Sequence, residues 1–124
     1  MHIVPVDIDS ITEHDLRLLA RLDTIGFEKR TAEQLLFDIK ANQKTLWRLG
    51  DIGIMLTSLS DDSLWVEGVA GRFDFKAGHE VRDWLYRLKE RAGKYHVRLA
   101  VNNIRLQRVY QRLGFVPVAT IMEA

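Results

Sequence analysis

Glu67 interrupts an apolar run, Leu64-Trp65-Val66-Glu67-Gly68-Val69. A carboxylate whose burial raises its pKa toward neutrality can take a proton as a general base. Its plainer reading is a carboxylate on the solvent face of a half-exposed strand. Arg72 and Lys76 precede a helix that the spacing places from Gly78 to Ala92. A lysine ammonium with the backbone N–H groups from Lys76 through Ala77 and Gly78 to His79 makes a seat for an anion at such a helix start; otherwise this is a solvated loop. Asn103 can cap a later helix through its carbonyl oxygen while its NH₂ reaches outward. On that helix Tyr110 shares a stripe with Leu106, Val109 and Leu113, the placing of a core phenol with a satisfied hydroxyl. His2, His14, His79 and His96 show no metal-type spacing, so no metal is assigned, and the absence of Cys excludes thiolate chemistry, disulfides and sulfur-ligated zinc.

These residues must be positioned by a chain of 124 residues, 47% hydrophobic and 28% charged, which is the composition and length of one globular domain. At that size about two-thirds of the unfolded surface can be buried without metals or bridges. The apolar stretches are too short to span a bilayer and no secretory pattern opens the chain, so a cytoplasmic location without a membrane partner is expected. The net charge of +1 is unevenly spread: residues 1–70 carry 7 basic and 12 acidic side chains, residues 71–124 carry 11 and 5. The second half therefore faces something anionic, whether a nucleotide-bearing cofactor, a nucleic acid or the acidic first half. An arginine stripe, Arg105, Arg108 and Arg112, with Arg82, Arg87, Lys89, Arg91 and Lys94 is the nucleic-acid option, but Glu80, Asp83 and Glu90 interrupt its neighbour and no known module fits, so nucleic acid is not the expected partner.

Periodicity and turn residues predict an opening strand over His2–Ile8, with Pro5 confining it to an edge. A helix follows over about 11–23 behind the capping box Ser10-Ile11-Thr12-Glu13, and another from Thr31 to about Lys40. Strands are predicted at Thr45–Leu49, Asp51–Leu59 and Ser63–Ala70, then the helix from Gly78, a strand at Tyr95–Val101, a helix after Asn102 or Asn103, and a strand at Phe115–Met122. Trp47, Trp65 and Trp84 are expected as core anchors. The order is β-α-α-β-β-β-α-β-α-β, a mixed α/β (α+β) domain.

That order, with Asn103-x2-Leu106-x3-Tyr110-x3-Gly114-Phe115 directly after a strand, resembles the GCN5-related N-acetyltransferase superfamily. The likeness in element order spans nearly the whole chain; the residue pattern is sharp only over 94–118. The resemblance implies a mostly antiparallel sheet flanked by four helices and splayed between the fourth and fifth strands, where the pantetheine arm of acyl-CoA enters. It further implies acetyl-CoA or another acyl-CoA as co-substrate and acetyl transfer to an amine of a small molecule or protein. Tyr110 would protonate the leaving thiolate, Glu67 would accept the amine's proton, and the backbone N–H of Val69 or a neighbour would serve the thioester carbonyl. The diphosphate would lie near Arg72, Lys76, Ala77, Gly78 and His79, with Asn103 as a further cofactor contact and the acceptor near Thr24–Phe27.

The chain departs from the family at three places. Where the family carries Gln/Arg-x-x-Gly-x-Gly/Ala, this sequence has Phe73-Asp74-Phe75-Lys76-Ala77 before Gly78, and Asp74 would repel a phosphate. Leu106 stands where a small residue is usual. The closing segment has room for one strand rather than a hairpin, which leaves a wall of the acceptor site open or supplied by a second copy in a homodimer. Small members encoded by tailed bacteriophages look similar. The alternative function is thus a degenerate binding or structural module of the same fold, within a larger assembly.

Overall fold

Alternating apolar residues broken at Leu49-Gly50-Asp51 and Ser60-Asp61-Asp62 fold residues 45–71 into a three-stranded antiparallel meander. The computed structural model describes residues 1–22, 32–41, 43–99, 101 and 104–118. Its strands are β1 (Ile3–Pro5), β2 (Thr45–Leu49), β3 (Gly53–Ser60), β4 (Ser63–Gly71) and β5 (His96–Leu99). Its helices are α1 (Glu13–Leu22), α2 (Ala32–Lys40), α3 (Phe75–Arg91) and α4 (Ile104–Arg112), with a single 3-10 turn at Ile8–Ser10. The sheet runs β1-β2-β3-β4-β5; every pair is antiparallel except the parallel β4–β5. This is the mixed α/β architecture with four helices that the element order predicts.

The sheet buries both faces. Leu18 and Leu19 of α1 and Leu35 and Ile39 of α2 pack on Leu46, Ile54, Leu56 and Ala70. On the other face Val81 and Leu85 of α3 cover Leu49, Met55, Leu64 and Val66. Each such aliphatic side chain contributes about 1.5–3 kcal/mol by leaving water. Trp47 and Trp84 meet edge to face at 4.6 Å, and the Trp47 indole N–H donates to Thr57 Oγ1 at 2.8 Å, so the ring is anchored without an orphaned donor.

Several boundaries differ from expectation; β3 starts at Gly53 rather than Asp51 and β5 is His96–Leu99 rather than Tyr95–Val101. The opening strand ends at Pro5, on the sheet's edge as its missing N–H requires, because Asp7 accepts from the Asp9 N–H and starts the 3-10 turn. The first capping box is Thr12–Asp15: the Thr12 N–H donates to Asp15 Oδ2 at 3.0 Å and the Asp15 N–H to Thr12 Oγ1 at 3.2 Å, while the Ser10 hydroxyl turns back to the Asp7 carbonyl. α3 begins at Phe75 rather than Gly78, because Asp74 caps it. No strand forms over 115–118. Residues 119–124, the Thr24–Arg30 stretch, the proposed cap Thr31, and Asn102 and Asn103 lie outside the described residues.

Asp15 also ties α1 to the sheet, since Arg48 Nη2 of β2 reaches its Oδ2 at 2.6 Å. Burial pushes the Asp15 pKa up, but the Thr12 N–H, the Arg48 guanidinium and the Thr12 hydroxyl outweigh it and hold the carboxyl below its ordinary 3.8. A carboxyl depressed in the folded state stabilises the fold above its unfolded pKa and loses that contribution as pH falls through the lower folded value. Asp15→Asn is therefore expected to lower stability by about 2 kcal/mol at pH 7, and the difference from the parent should shrink in urea melts below about pH 4. A pH-independent difference would remove ionisation from this account.

Candidate functional site

All four residues of β5 pair with β4: His96–Leu99 lie beside Ser63–Val66, and among the described residues Glu67–Gly71 have no strand on that side, while Gly68–Gly71 stay paired to β3. The ladder to β3 slips at the same point: Gly68 faces Leu56 and Val66 faces Thr57, so Glu67 is the extra residue of a β-bulge. Beyond the bulge, the Arg72 N–H donates to the Ile52 carbonyl at 3.0 Å. Antiparallel alternation from that bond turns Ala70 and Gly68 toward β3 and directs the Val69 and Gly71 N–H groups to the opposite edge of β4. Unpaired strand amides need a partner, and an extended ligand carrying carbonyls supplies one. α3 and α4 follow β4 and β5, so both helices begin at the carboxyl end of the parallel pair, where open sheets of this kind hold their ligands.

Glu67 is exposed, contrary to the burial expected of it. The bulge turns it toward β2 and β3, where its Oε1 accepts from the Ser58 hydroxyl at 2.8 Å and its Oε2 meets Lys44 Nζ at 3.1 Å. Neither Lys44 nor Ser58 is singled out by the sequence. The signal is in the hairpin register: Thr45 faces Thr57, so Lys44 falls one step beyond, opposite Ser58.

At the start of α3, Asp74 Oδ1 accepts from the Ala77 N–H at 2.7 Å and the Asp74 carbonyl from the Gly78 N–H at 3.0 Å. Ala77 and Gly78 thus lie inside the first turn, with their amides engaged. The third expected contact, His79, sets its ring edge-on to Phe75 at 4.4 Å. Gly78 has a packing role, since a Cβ there would sit 3.2 Å from the Leu113 side chain at the end of α4. Arg82, counted above with the basic stripe, donates to the Leu113 carbonyl at 2.6 Å and so joins α3 to α4. Arg72 and Lys76 are exposed and line a cavity of about 490 Å³ with Ile52, Phe73, Asp74 and Glu80. Met1 lines it too, its ammonium 2.9 Å from Glu80 Oε2, so three cations and two carboxylates share its wall.

Tyr110 lies on α4, its ring edge-on to Phe115 at 5.8 Å, and burial pushes its phenol pKa above the ordinary 10.0. The hydroxyl therefore stays protonated at neutral pH, the state a proton donor needs. Leu106 is half-buried on the same helix. The described contacts gather Arg72, Lys76 and Ala77 around one cavity and keep Glu67 apart with Lys44 and Ser58.

No family model matches the sequence, and a search of curated proteins finds no match. Solved structures do match in shape. A glucosamine-6-phosphate N-acetyltransferase from Arabidopsis thaliana superposes with TM-score 0.69 at 14% identity, over 99% of this chain and 96% of that one. An aminoglycoside N-acetyltransferase in complex with CoA gives 0.68 at 18% identity, over 99% and 97%. A Clostridium acetobutylicum protein described as an acetyltransferase, solved with acetyl-CoA, gives 0.66 at 12% identity, over 99% and 94%. At such identities the likeness is one of fold.

Proposed function

We propose that this chain, which has the fold of the GCN5-related N-acetyltransferases, transfers an acyl group, in the simplest case acetyl, from acyl-CoA to an amine by direct attack. The observation that carries this reading is the end of the described β4–β5 pairing at Val66, with the Val69 N–H turned to that edge of β4. Acyl-CoA, when bound there, supplies a thioester activated toward amines. Val69 holds the thioester carbonyl and polarises it as negative charge develops on oxygen. Glu67 accepts the proton that the incoming ammonium must lose, and Tyr110 gives one to the departing sulfur. Arg72 and Lys76 take the diphosphate as exposed cations, with fewer free amides than a helix start usually offers. Asn103 is assigned as a further cofactor contact.

The Asp74 cap favours a second reading, a module of this fold without transfer, because it places a carboxylate where the diphosphate would lie. Calorimetric titration with acetyl-CoA and with free CoA separates the two. Under the first reading, ligand at ~100 times its Kd raises stability by about 2.7 kcal/mol, about 10 °C in Tm. Absence of heat and of a thermal shift at millimolar ligand selects the module.

A further inference from the structure

Lys44, Ser58, Trp65 and Arg98 stand in one row across the sheet. Lys44 lies opposite Ser58, Ser58 faces Trp65, and Trp65 faces Arg98 on β5. Leu64, Val66, Val97 and Leu99 belong to the core on the α3 side, so alternation turns Trp65 and Arg98 to the face that carries α1 and α2. At the β2 end of the row the polar groups are engaged, since Lys44 and Ser58 both bond the Glu67 carboxylate. The β5 end differs. Trp65, expected as a core anchor, is only half-buried, as is Arg98. The Trp47 indole and the Arg48 and Arg82 guanidiniums each have an acceptor, but among the described residues the Trp65 N–H and the Arg98 guanidinium have none. Arg98 acts through space on Asp62, an exposed carboxylate that already accepts from the Ser63 hydroxyl at 2.9 Å and lies 3.6 Å from His96 Nε2.

A guanidinium and an indole N–H without acceptors, on neighbouring strands about 4.8 Å apart, form a donor set that suits a carboxylate or a phosphate. Position along β4 decides whose anion it is. Arg98 belongs to β5, on the side of β4 to which the Val69 N–H turns. Arg72 and Lys76, which take the diphosphate, come after Val69 in the chain, and Trp65 comes before it. A cofactor with its thioester at Val69 and its diphosphate at Arg72 therefore leads its phosphates away from Arg98, and the Arg98 end is left to the other reactant. We propose that Trp65 and Arg98 bind an anionic group of the acceptor, so that the substrate is an amine that also carries a carboxylate or a phosphate. The inference rests on the reading of the chain as an acyltransferase and names the chemical class of its acceptor. Register sets the span: Val69 faces Met55 and Trp65 faces Ser58, three residues apart on β3, or about 10 Å. The Arg98 side chain covers part of that distance, and a spacer of about five or six carbons between nitrogen and anion covers the rest. Anchoring the far end of the acceptor restricts where its nitrogen can lie, which favours attack at the thioester over loss to water.

The test sets each anionic amine beside its neutral counterpart: ε-aminocaproate with hexylamine, and aminopentyl phosphate with pentylamine. Transfer is followed by release of the CoA thiol and acetyl-CoA binding by calorimetry. In the parent each anionic amine should show kcat/KM at least about tenfold above its counterpart, and the larger ratio tells phosphate from carboxylate. Arg98→Gln should erase the preference by raising KM for the anionic amines, with the neutral ones within about twofold of the parent. Arg98→Lys keeps the charge without the planar fork and should restore part of it. Trp65→Phe keeps a ring, deletes the N–H and should lower the preference about threefold, a second measure should Arg98→Gln fold poorly. Inorganic phosphate titrated into protein saturated with acetyl-CoA should give heat in the parent and none in Arg98→Gln, and this arm decides if all four amines prove inert. Equal kcat/KM within both pairs, an equal loss for both members in Arg98→Gln, or phosphate heat unchanged by that substitution overturns the anion site and leaves the acyltransferase reading standing. Failure to bind acetyl-CoA removes both.

Discussion

Tyr110→Phe is expected to lower kcat about a hundredfold while leaving acetyl-CoA affinity within about twofold. The substitution deletes one hydroxyl and retains the ring that meets Phe115 edge-on, so packing changes little. What disappears is a donor that burial keeps protonated, because an ionised phenolate is disfavoured away from water. Since the phenol pKa is raised, the parent should keep its donor through pH 10, and any alkaline fall in kcat that reports Tyr110 should begin above that value. The variant should lack that limb. Binding by calorimetry and turnover under saturating acetyl-CoA separate the two effects, and equal kcat in both proteins would exclude Tyr110 from the proposed transfer.

Gly71→Ala is expected to cost about 3–5 kcal/mol of stability. Gly71 ends β4 at φ +146°, and a Cβ there would lie 2.2 Å from the Ile52 carbonyl oxygen and 2.6 Å from the Gly53 Cα. Both obstacles are backbone, so no rotamer change relieves them. Gly53 faces Gly71 in register and is bound the same way, with a hypothetical Cβ 2.3 Å from the Ala70 oxygen. The pair lets β3 and β4 close tightly just before the chain turns toward α3. Gly93→Ala is the control: its φ is +68° but a Cβ would meet nothing within 4 Å, so only the backbone penalty of about 1 kcal/mol applies. Urea denaturation of the three proteins measures both, and a Gly71→Ala loss no larger than the Gly93→Ala loss would refute the close-approach account.

Where structure followed local pattern it was legible in the residues. Thr45–Leu49 matches β2 to the residue, because alternation and the Gly50 turn leave one register. Spacing alone does not place the first capping box, because Ser10–Glu13 and Thr12–Asp15 both satisfy it. The contest is decided by a residue outside either pattern, Asp7, whose carbonyl draws the Ser10 hydroxyl. The charge of Asp74 suggests repulsion of a phosphate, but its geometry matters more: a carboxylate three residues before an amide is a helix cap. The site was less legible than the fold. Val69 and Tyr110 fall on the strand and helix that the pattern predicts, but the surroundings of Glu67 depend on a bulge and on Lys44, 23 positions earlier in the chain, and neither leaves a mark on the strand's own periodicity.

Strand order in the sheet repeats strand order in the chain. From β2 to β4 each neighbour is reached by a tight turn, so those ladders can zip one after another with little entropy lost to closure. β5 arrives only after the excursion through residues 72–95 and joins by four residues. The two sides of the proposed site therefore have different histories: one belongs to the portion of the protein that assembles locally, the other to the strand that must wait for α3. A newly made chain thus forms the Glu67 side of the proposed site before β5 is in place.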